Sequence, residues 1–324
     1  DPQRGLYLLA FISVIILISL SLFISRFSLT RTHRSIKTLS KESFISINNI
    51  FFVTLIFSIM LGVTYPLIYE YFYDQKISVG APFYNAIFIP IVILASIFLF
   101  FSIESKWSRS IDLKIFINPI FISLFLSFVA TLIVFINLEK INIFILLSIF
   151  TGLLIIFRYL IEIWSSFVYK KYLNPFSAIA HFALGLLLVS ISLNSLLSSE
   201  RALNIKINEY EEYKDLNIYF RDLNLVKGPN YDSVKANFVV EDQNGKSFNL
   251  YPEKRRYSRR GQITTETAIY ITPFRDIYLT IGDQLEDGSW MVNIQINFLI
   301  RWIWFSAFLM AFAGVVLISS KRKV

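Results

Sequence analysis

The chain has 324 residues, 55% of them apolar, 17% aromatic and 17% charged, and a mean hydropathy of +0.58. A soluble domain is usually about a quarter charged, so this balance excludes disorder and argues against a purely soluble enzyme. Thirty-one Lys and Arg against 23 Asp and Glu give a formal charge of +8, and with no cysteine the chain's own residues can form no disulfide, zinc-thiolate site, iron-sulfur cluster or thiol nucleophile.

The chain opens at Asp1 with no charged n-region or small-residue cleavage site, so the start does not read as a signal peptide; a processed or cut N-terminus is expected. A membrane-crossing helix needs about 20 predominantly apolar residues. Seven segments qualify, at 6–25, 48–69, 83–103, 115–137, 141–165, 176–197 and 298–318. The stretch 198–297 between the last two is polar, charged and rich in turn signals. The fold class is therefore a polytopic α-helical membrane protein with an inserted all-β extramembrane domain. It divides into a six-helix part (1–197), an outward-facing β domain (198–297), and a final helix with a basic tail (298–324).

Lys and Arg in short loops set orientation. One set of loops and the tail holds Arg26, Arg31, Arg34, Lys37, Lys41, Lys106, Arg109, Lys114, Lys170, Lys171, Lys321, Arg322 and Lys323, while the opposite set holds only Arg4, Lys76 and Lys140. Seven alternating crossings fit that split, with the N-terminus and residues 198–297 outside and the C-terminus in the cytoplasm or matrix. Residues 198–297 contain 13 basic and 15 acidic side chains, a net of −2, so the rest of the chain carries +10. The basic excess is a topology signal, and nucleic-acid binding loses its compositional support.

Within 198–297, apolar and polar residues alternate with the period of a half-buried strand. The runs are Leu203 to Ile207, Leu216 to Phe220, Val234 to Val240, Ile263 to Ile271, and Trp290 to Ile296. Gly228-Pro229-Asn230, Asn244-Gly245 and Asp287-Gly288 break them, and an Asx-Gly pair between alternating runs signals a hairpin. Six to eight antiparallel strands in a small barrel or sandwich are expected, ending in a hairpin over 275–297 that runs almost directly into the last membrane helix.

Only two histidines occur. His33, among Arg31, Arg34 and Lys37, reads as a solvated loop residue. His181 lies about a turn and a half into the sixth helix, where an ionisable group is costly and usually faces the bundle interior. Such an imidazole is either a haem or metal ligand or a hydrogen-bonding partner of a neighbouring helix. Ala178 and Gly185 share its helix face, which admits a flat macrocycle or a second helix. Arg158 and Glu162, four apart in the fifth helix, read as an ion pair rather than a relay. The run Lys254-Arg255-Arg256-Tyr257-Ser258-Arg259-Arg260-Gly261 could grip an anion or an acidic partner, or form a solvated basic hairpin. Arg301-Trp302-Ile303-Trp304 reads as an interfacial anchor. No Ser-His-Asp triad, P-loop or dinucleotide fingerprint is present, so hydrolase and phosphoryl-transfer functions have no support.

A set of short motifs spread along the chain resembles a known family. They include Asp1-Pro2-Gln3-Arg4-Gly5, Gly80-Ala81-Pro82-Phe83-Tyr84-Asn85, and Ala180-His181-Phe182-Ala183-Leu184-Gly185. Phe220-Arg221-Asp222, Thr265-Glu266-Thr267-Ala268-Ile269, Asp287-Gly288-Ser289-Trp290 and Arg301-Trp302-Ile303-Trp304 continue the pattern. In order and spacing the chain resembles the C-terminal half of the CcmF family, the large membrane subunits of the bacterial-type cytochrome c haem lyase.

The resemblance implies cytochrome c maturation, in which thioether bonds form between haem vinyl groups and the thiols of a Cys-x-x-Cys-His motif in apocytochrome c. It implies that His181 is one of two transmembrane axial ligands of a haem b, with the second histidine and a tryptophan-rich haem-holding loop upstream of Asp1. The implied partners are a periplasmic haem chaperone, apocytochrome c, thiol-handling lyase subunits and the missing N-terminal half. On this view the chain is a split-gene product or a trimmed domain, inactive by itself, in a bacterial or mitochondrial inner membrane. Two other readings stay open: a haem transporter or export component lined by Arg158, Glu162 and His181, and a cofactor-free scaffold recruiting partners through 198–297.

Overall fold

The computed structural model describes residues 2–30, 37–103, 105, 107, 113–137, 142–170, 174–258 and 261–321. Its helices are α1 (Pro2–Thr30), α2 (Lys41–Tyr73), α3 (Ala81–Ser102), α4 (Leu113–Ile136), α5 (Ile143–Tyr169), α6 (Pro175–Leu197) and α7 (Ile300–Lys321). All seven are long and apolar enough to cross a membrane, and they coincide with the seven expected spans. His33 lies outside the described residues, as do Arg259 and Arg260.

Local chemistry explains where several helices start. Ser40 Oγ accepts from the Ser43 amide at the head of α2, Asn142 Oδ1 from Phe144 and Ile145 at α5, and Asn174 Oδ1 from Phe176 and Ser177 at α6, so free donors of each first turn are satisfied. Pro175 follows Asn174 at a position where a missing N–H costs nothing. Hydroxyls inside the spans turn back on their own helix: Ser58, Ser96, Ser123 and Ser127 each donate to the carbonyl four residues earlier, which satisfies them where lipid offers no partner. The most buried span is α5, which packs against α3, α4 and α6; α6 in turn packs against α7, and α2 against α3.

The β domain contains β1 (Ser199–Ile205), β2 (Tyr210–Tyr213), β3 (Leu216–Lys227), β4 (Tyr231–Asp242), β5 (Ser247–Leu250), β6 (Glu253–Tyr257), β7 (Ile263–Glu266), β8 (Ala268–Ile271), β9 (Arg275–Gln284) and β10 (Trp290–Phe298). They form an antiparallel sheet in the order β1-β10-β9-β8 and a larger one in the order β2-β3-β4-β6-β7, with β5 on β4. Inward rows from both, including Ile218, Phe220, Phe238, Val240, Ile277, Leu279, Ile281, Val292 and Ile294, are fully buried and make one core. Phe220 and Phe238 stack across it with centroids 4.4 Å apart.

Ten strands form, more than the six to eight expected, for two reasons. The alternating run Ile263 to Ile271 is two strands: β7 pairs with β6 in the larger sheet, the chain crosses at Thr267, and β8 pairs with β9 in the smaller. The basic run at 254–257 is itself a strand, β6, because neighbours neutralise its charges. Lys254 bonds Asp283, and Arg255 meets Glu253 at 3.0 Å, Glu266 at 3.5 Å and the Tyr231 ring at 4.6 Å. The hairpin turns lie where Asn-Gly and Asp-Gly place them, with Gly245 at φ +76° and Gly288 at φ +82°.

The β domain is held against α6 and α7 by short-range bonds. The Phe298 amide donates to Ser198 Oγ at 3.1 Å and the Phe298 carbonyl accepts from Asn194 Nδ2 at 2.5 Å. Trp302 Nε1 donates to the Pro273 carbonyl at 3.0 Å while its ring stacks on Phe274, and Arg301 Nε lies 3.6 Å from Asp276. Of the expected interfacial anchor, Arg301 and Trp302 therefore clamp the sandwich, and Trp304 is 73% exposed.

Phe238→Ala removes a fully buried ring from the stack. It is expected to lower the stability of the β domain by about 3–5 kcal/mol, seen as an earlier urea midpoint by tryptophan fluorescence with helical circular dichroism retained.

Candidate functional site

His181 sits on α6 seven residues beyond its Asn174 cap, and across from it on α5 stands Tyr159. The Tyr159 hydroxyl oxygen lies 2.6 Å from His181 Nδ1, and Ser177 Oγ, four residues earlier on α6, lies 3.2 Å from the same nitrogen. The two rings are stacked with centroids 5.4 Å apart and planes 25° from parallel. One ring nitrogen is thus bonded twice, and Nε2 has no hydrogen-bond partner among the described residues. If Nδ1 carries the proton and donates to Tyr159 and Ser177, Nε2 presents its lone pair, which is the form a metal requires.

What brings the two helices together is a pair of glycines. A Cβ on Gly185 would stand 2.8 Å from the Gly152 carbonyl oxygen and 3.0 Å from Ile156, and one on Gly152 would stand 3.0 Å from the Gly185 carbonyl. Backbones that touch here leave Tyr159, two turns further along α5, level with His181. The small-residue face of α6 therefore seats a second helix at Gly185, while Ala178 on the same face borders the cavity beside His181.

A cavity of about 370 Å³ opens beside the imidazole. Phe44, Ile45, Phe98, Leu99, Ile103 and Ala178 give it apolar walls, and Lys41, Asn48, Ser102, Asn174, Ser177, Tyr159, Glu162 and His181 supply polar groups. Its size is within the range of small-molecule and cofactor sites, and eight of its fourteen lining residues are polar. Among the described residues no group of three or more His, Cys, Asp or Glu could hold a metal ion. A metal at His181 therefore needs ligands that come with a macrocycle or from another segment. A lone imidazole with Nδ1 held, beside a cavity with one apolar wall, fits a haem better than a bare ion.

Arg158 is 5% exposed and its Nη1 lies 3.8 Å from Glu162 Oε2, the pairing their spacing implied. Glu162 borders the cavity beside Tyr159. In the basic run only Arg256 is exposed among 254–256, the other two being engaged as described. Tyr159 and Ser177 are not singled out in the sequence, where Lys41 counts only as a topology charge and not as a site residue. Ser177 carried a signal, lying four residues before His181 on one helix face, whereas Tyr159 and Lys41 belong to other helices.

Residues 196–297 match the family model of the CcmF C-terminal beta-sandwich. The whole chain is similar to curated proteins named cytochrome c-type biogenesis protein CcmF: 29% identical over 334 residues in Haemophilus influenzae, 28% over 333 in Escherichia coli and 27% over 332 in Pseudomonas fluorescens. Each alignment takes in 99% of this chain, and the chain spans about half the length of these relatives, 51%, 50% and 50% respectively. A solved structure of cytochrome c heme lyase CcmF shares the fold, with a TM-score of 0.67 at 14% identity over 86% of this chain and 46% of that one.

Gly185→Val puts a branched side chain against the Gly152 carbonyl. The α5–α6 contact is expected to open at a cost of about 1–3 kcal/mol, read as a lower melting temperature of the detergent-solubilised protein, with Ala at this position intermediate.

Proposed function

Since the chain corresponds to the C-terminal half of CcmF, we propose that it is the haem-binding membrane part of the machinery that attaches haem covalently to apocytochrome c. The carrying observation is His181, with Nδ1 held by Tyr159 and Ser177 and its ring bordering a cavity of mixed polar and apolar walls inside the bundle. His181 Nε2 would hold the iron of a b-type haem, and a second histidine would come from a segment corresponding to the other half of the relatives. A haem held there supplies one-electron chemistry that sets the redox state of iron during attachment.

The chain's own residues do the holding. Tyr159 and Ser177 occupy Nδ1 and fix the ring's rotation, Phe44, Phe98 and Leu99 exclude water, and Arg158 and Glu162 set two opposite charges against each other beside the site. That mutual pairing favours ligation over a transport path lined by the same residues. The attachment reaction adds each apocytochrome thiol S–H across a haem vinyl double bond, with no cysteine required from this chain. The β domain faces the outer compartment, periplasm or intermembrane space, and docks the haem chaperone, apocytochrome c and thiol-handling subunits. The protein resides in the bacterial or mitochondrial inner membrane, with its C-terminal tail on the cytoplasmic or matrix side.

In the chain co-expressed with the complementary half, His181→Ala is expected to abolish the low-spin b-type Soret band. A spectrum unchanged by that substitution would sink the ligand assignment. Tyr159→Phe keeps the ring and deletes the hydroxyl; haem should bind about tenfold more weakly, as measured by haem retained per protein after dilution, with Ser177 limiting the loss. Arg256→Glu separates docking from ligation, since Arg256 is exposed while Arg255 is bound into the sheet. Lower yield of cytochrome c with an intact haem spectrum is the expected outcome.

A further inference from the structure

The cavity at His181 has a direction. It is built from the starts of α2 and α6 and the ends of α3 and α5. All of these lie on the membrane face opposite the β domain, because α6 runs from Asn174 at the cavity to Ser198, where β1 begins. Lys41 and Asn174 stand at the helix ends that form its mouth, and Phe44, Phe98, Leu99 and Ala178 line the way inward. His181 is seven residues along α6 from Asn174, a depth of about 10 Å at 1.5 Å per residue. Polar groups mark the surface end, and the imidazole marks the deep end.

A haem is a flat apolar ring with two carboxylates on one edge. A carboxylate left in hydrocarbon without a counter-charge is strongly disfavoured, so that edge must face a membrane surface and a cation. Among the described residues, Lys41 is the only basic side chain lining the cavity besides His181, and its Nζ lies 5.5 Å from the Trp107 ring centroid at the same surface. The one carboxylate in the lining, Glu162, has Arg158 at 3.8 Å. Building on the assignment of His181 as ligand, we propose that Lys41 binds a haem propionate. The haem then stands edge-on in the membrane, with its carboxylates toward the surface opposite the β domain and its iron at the level of His181. This assigns to α2 a binding residue for the cofactor and separates the cofactor's polar edge from the compartment into which the β domain projects.

The test uses the complete protein purified from its membrane, freed of haem and reloaded with either haem b or its dimethyl ester, in which both propionates are uncharged. Wild-type protein should retain haem b about tenfold more tightly than the ester, the scale of a charge-assisted hydrogen bond. Lys41→Gln should lose that preference and Lys41→Arg keep it, while the low-spin spectrum stays that of the wild type because His181 is untouched. With the cation gone, the propionate charge favours ferric iron, so the midpoint potential of Lys41→Gln should fall. Equal retention of haem and ester by the wild-type protein would overturn the proposal, and this arm needs no variant to fold. A preference for haem b over the ester that persists in Lys41→Gln, with an unmoved potential, would overturn it as well. Failure of the underlying assignment reads differently: His181→Ala would then leave the haem spectrum intact.

Discussion

The close approach of α5 and α6 is the contact on which the site depends. Gly152 and Gly185 let two backbones meet with a carbonyl oxygen 2.8 Å from where a Cβ would stand. In hydrocarbon such contact is the main source of helix association, because lipid tails solvate leucine as well as a neighbouring helix does. Two turns along α5 from Gly152, the same crossing sets Tyr159 against His181. A single glycine pair thereby determines both how the bundle packs and which ring nitrogen of the histidine remains available.

A second constraint runs through the whole membrane part. Polar atoms there have no water, so most are paired locally, Thr131 Oγ1 being an exception. Serine hydroxyls bond their own helix, Arg158 meets Glu162, and His181 meets Tyr159 and Ser177. Against that background the cavity at the end of α2, α3, α5 and α6 stands out, because it gathers polar side chains from four helices, among them Lys41, Ser102, Tyr159 and His181, beside apolar ones. The β domain obeys the opposite rule. Its charges lie on the surface or within strand-to-strand pairs such as Lys254 with Asp283, and its stability comes from one continuous apolar core. The clamp at Trp302, Phe274 and Asp276 couples these two solvent regimes within a few residues of the membrane surface.

What could be read without coordinates followed from short-range periodicity. Seven apolar runs of sufficient length became seven helices, and Asx-Gly turns became hairpins with left-handed glycines. His181 stood out because an imidazole in an apolar helix is costly, and its motif resembled that of a haem-lyase family whose C-terminal half the chain matches along its length. The strand count went astray where tertiary context decided. At Thr267 an unbroken alternating run passes from one sheet to the other, since alternation reports which side chains point inward and not which sheet pairs with them. The basic run from Lys254 reads as an anion grip or a solvated basic hairpin, and its first part is a strand whose charges meet Asp283, Glu266 and the neighbouring Glu253.

By itself, then, the sequence determined the membrane spans, the insertion of a β domain between the sixth and seventh, and the one histidine at which chemistry could centre. Each of these depends on residues near one another along the chain. Only the tertiary structure decided that Gly185 receives a helix, that Tyr159 holds Nδ1, and that Lys41 shares a cavity with His181. Those pairings join residues separated by 33, 22 and 140 positions, as their numbering shows. No periodicity encodes them, because they arise from how four helices close around a common space.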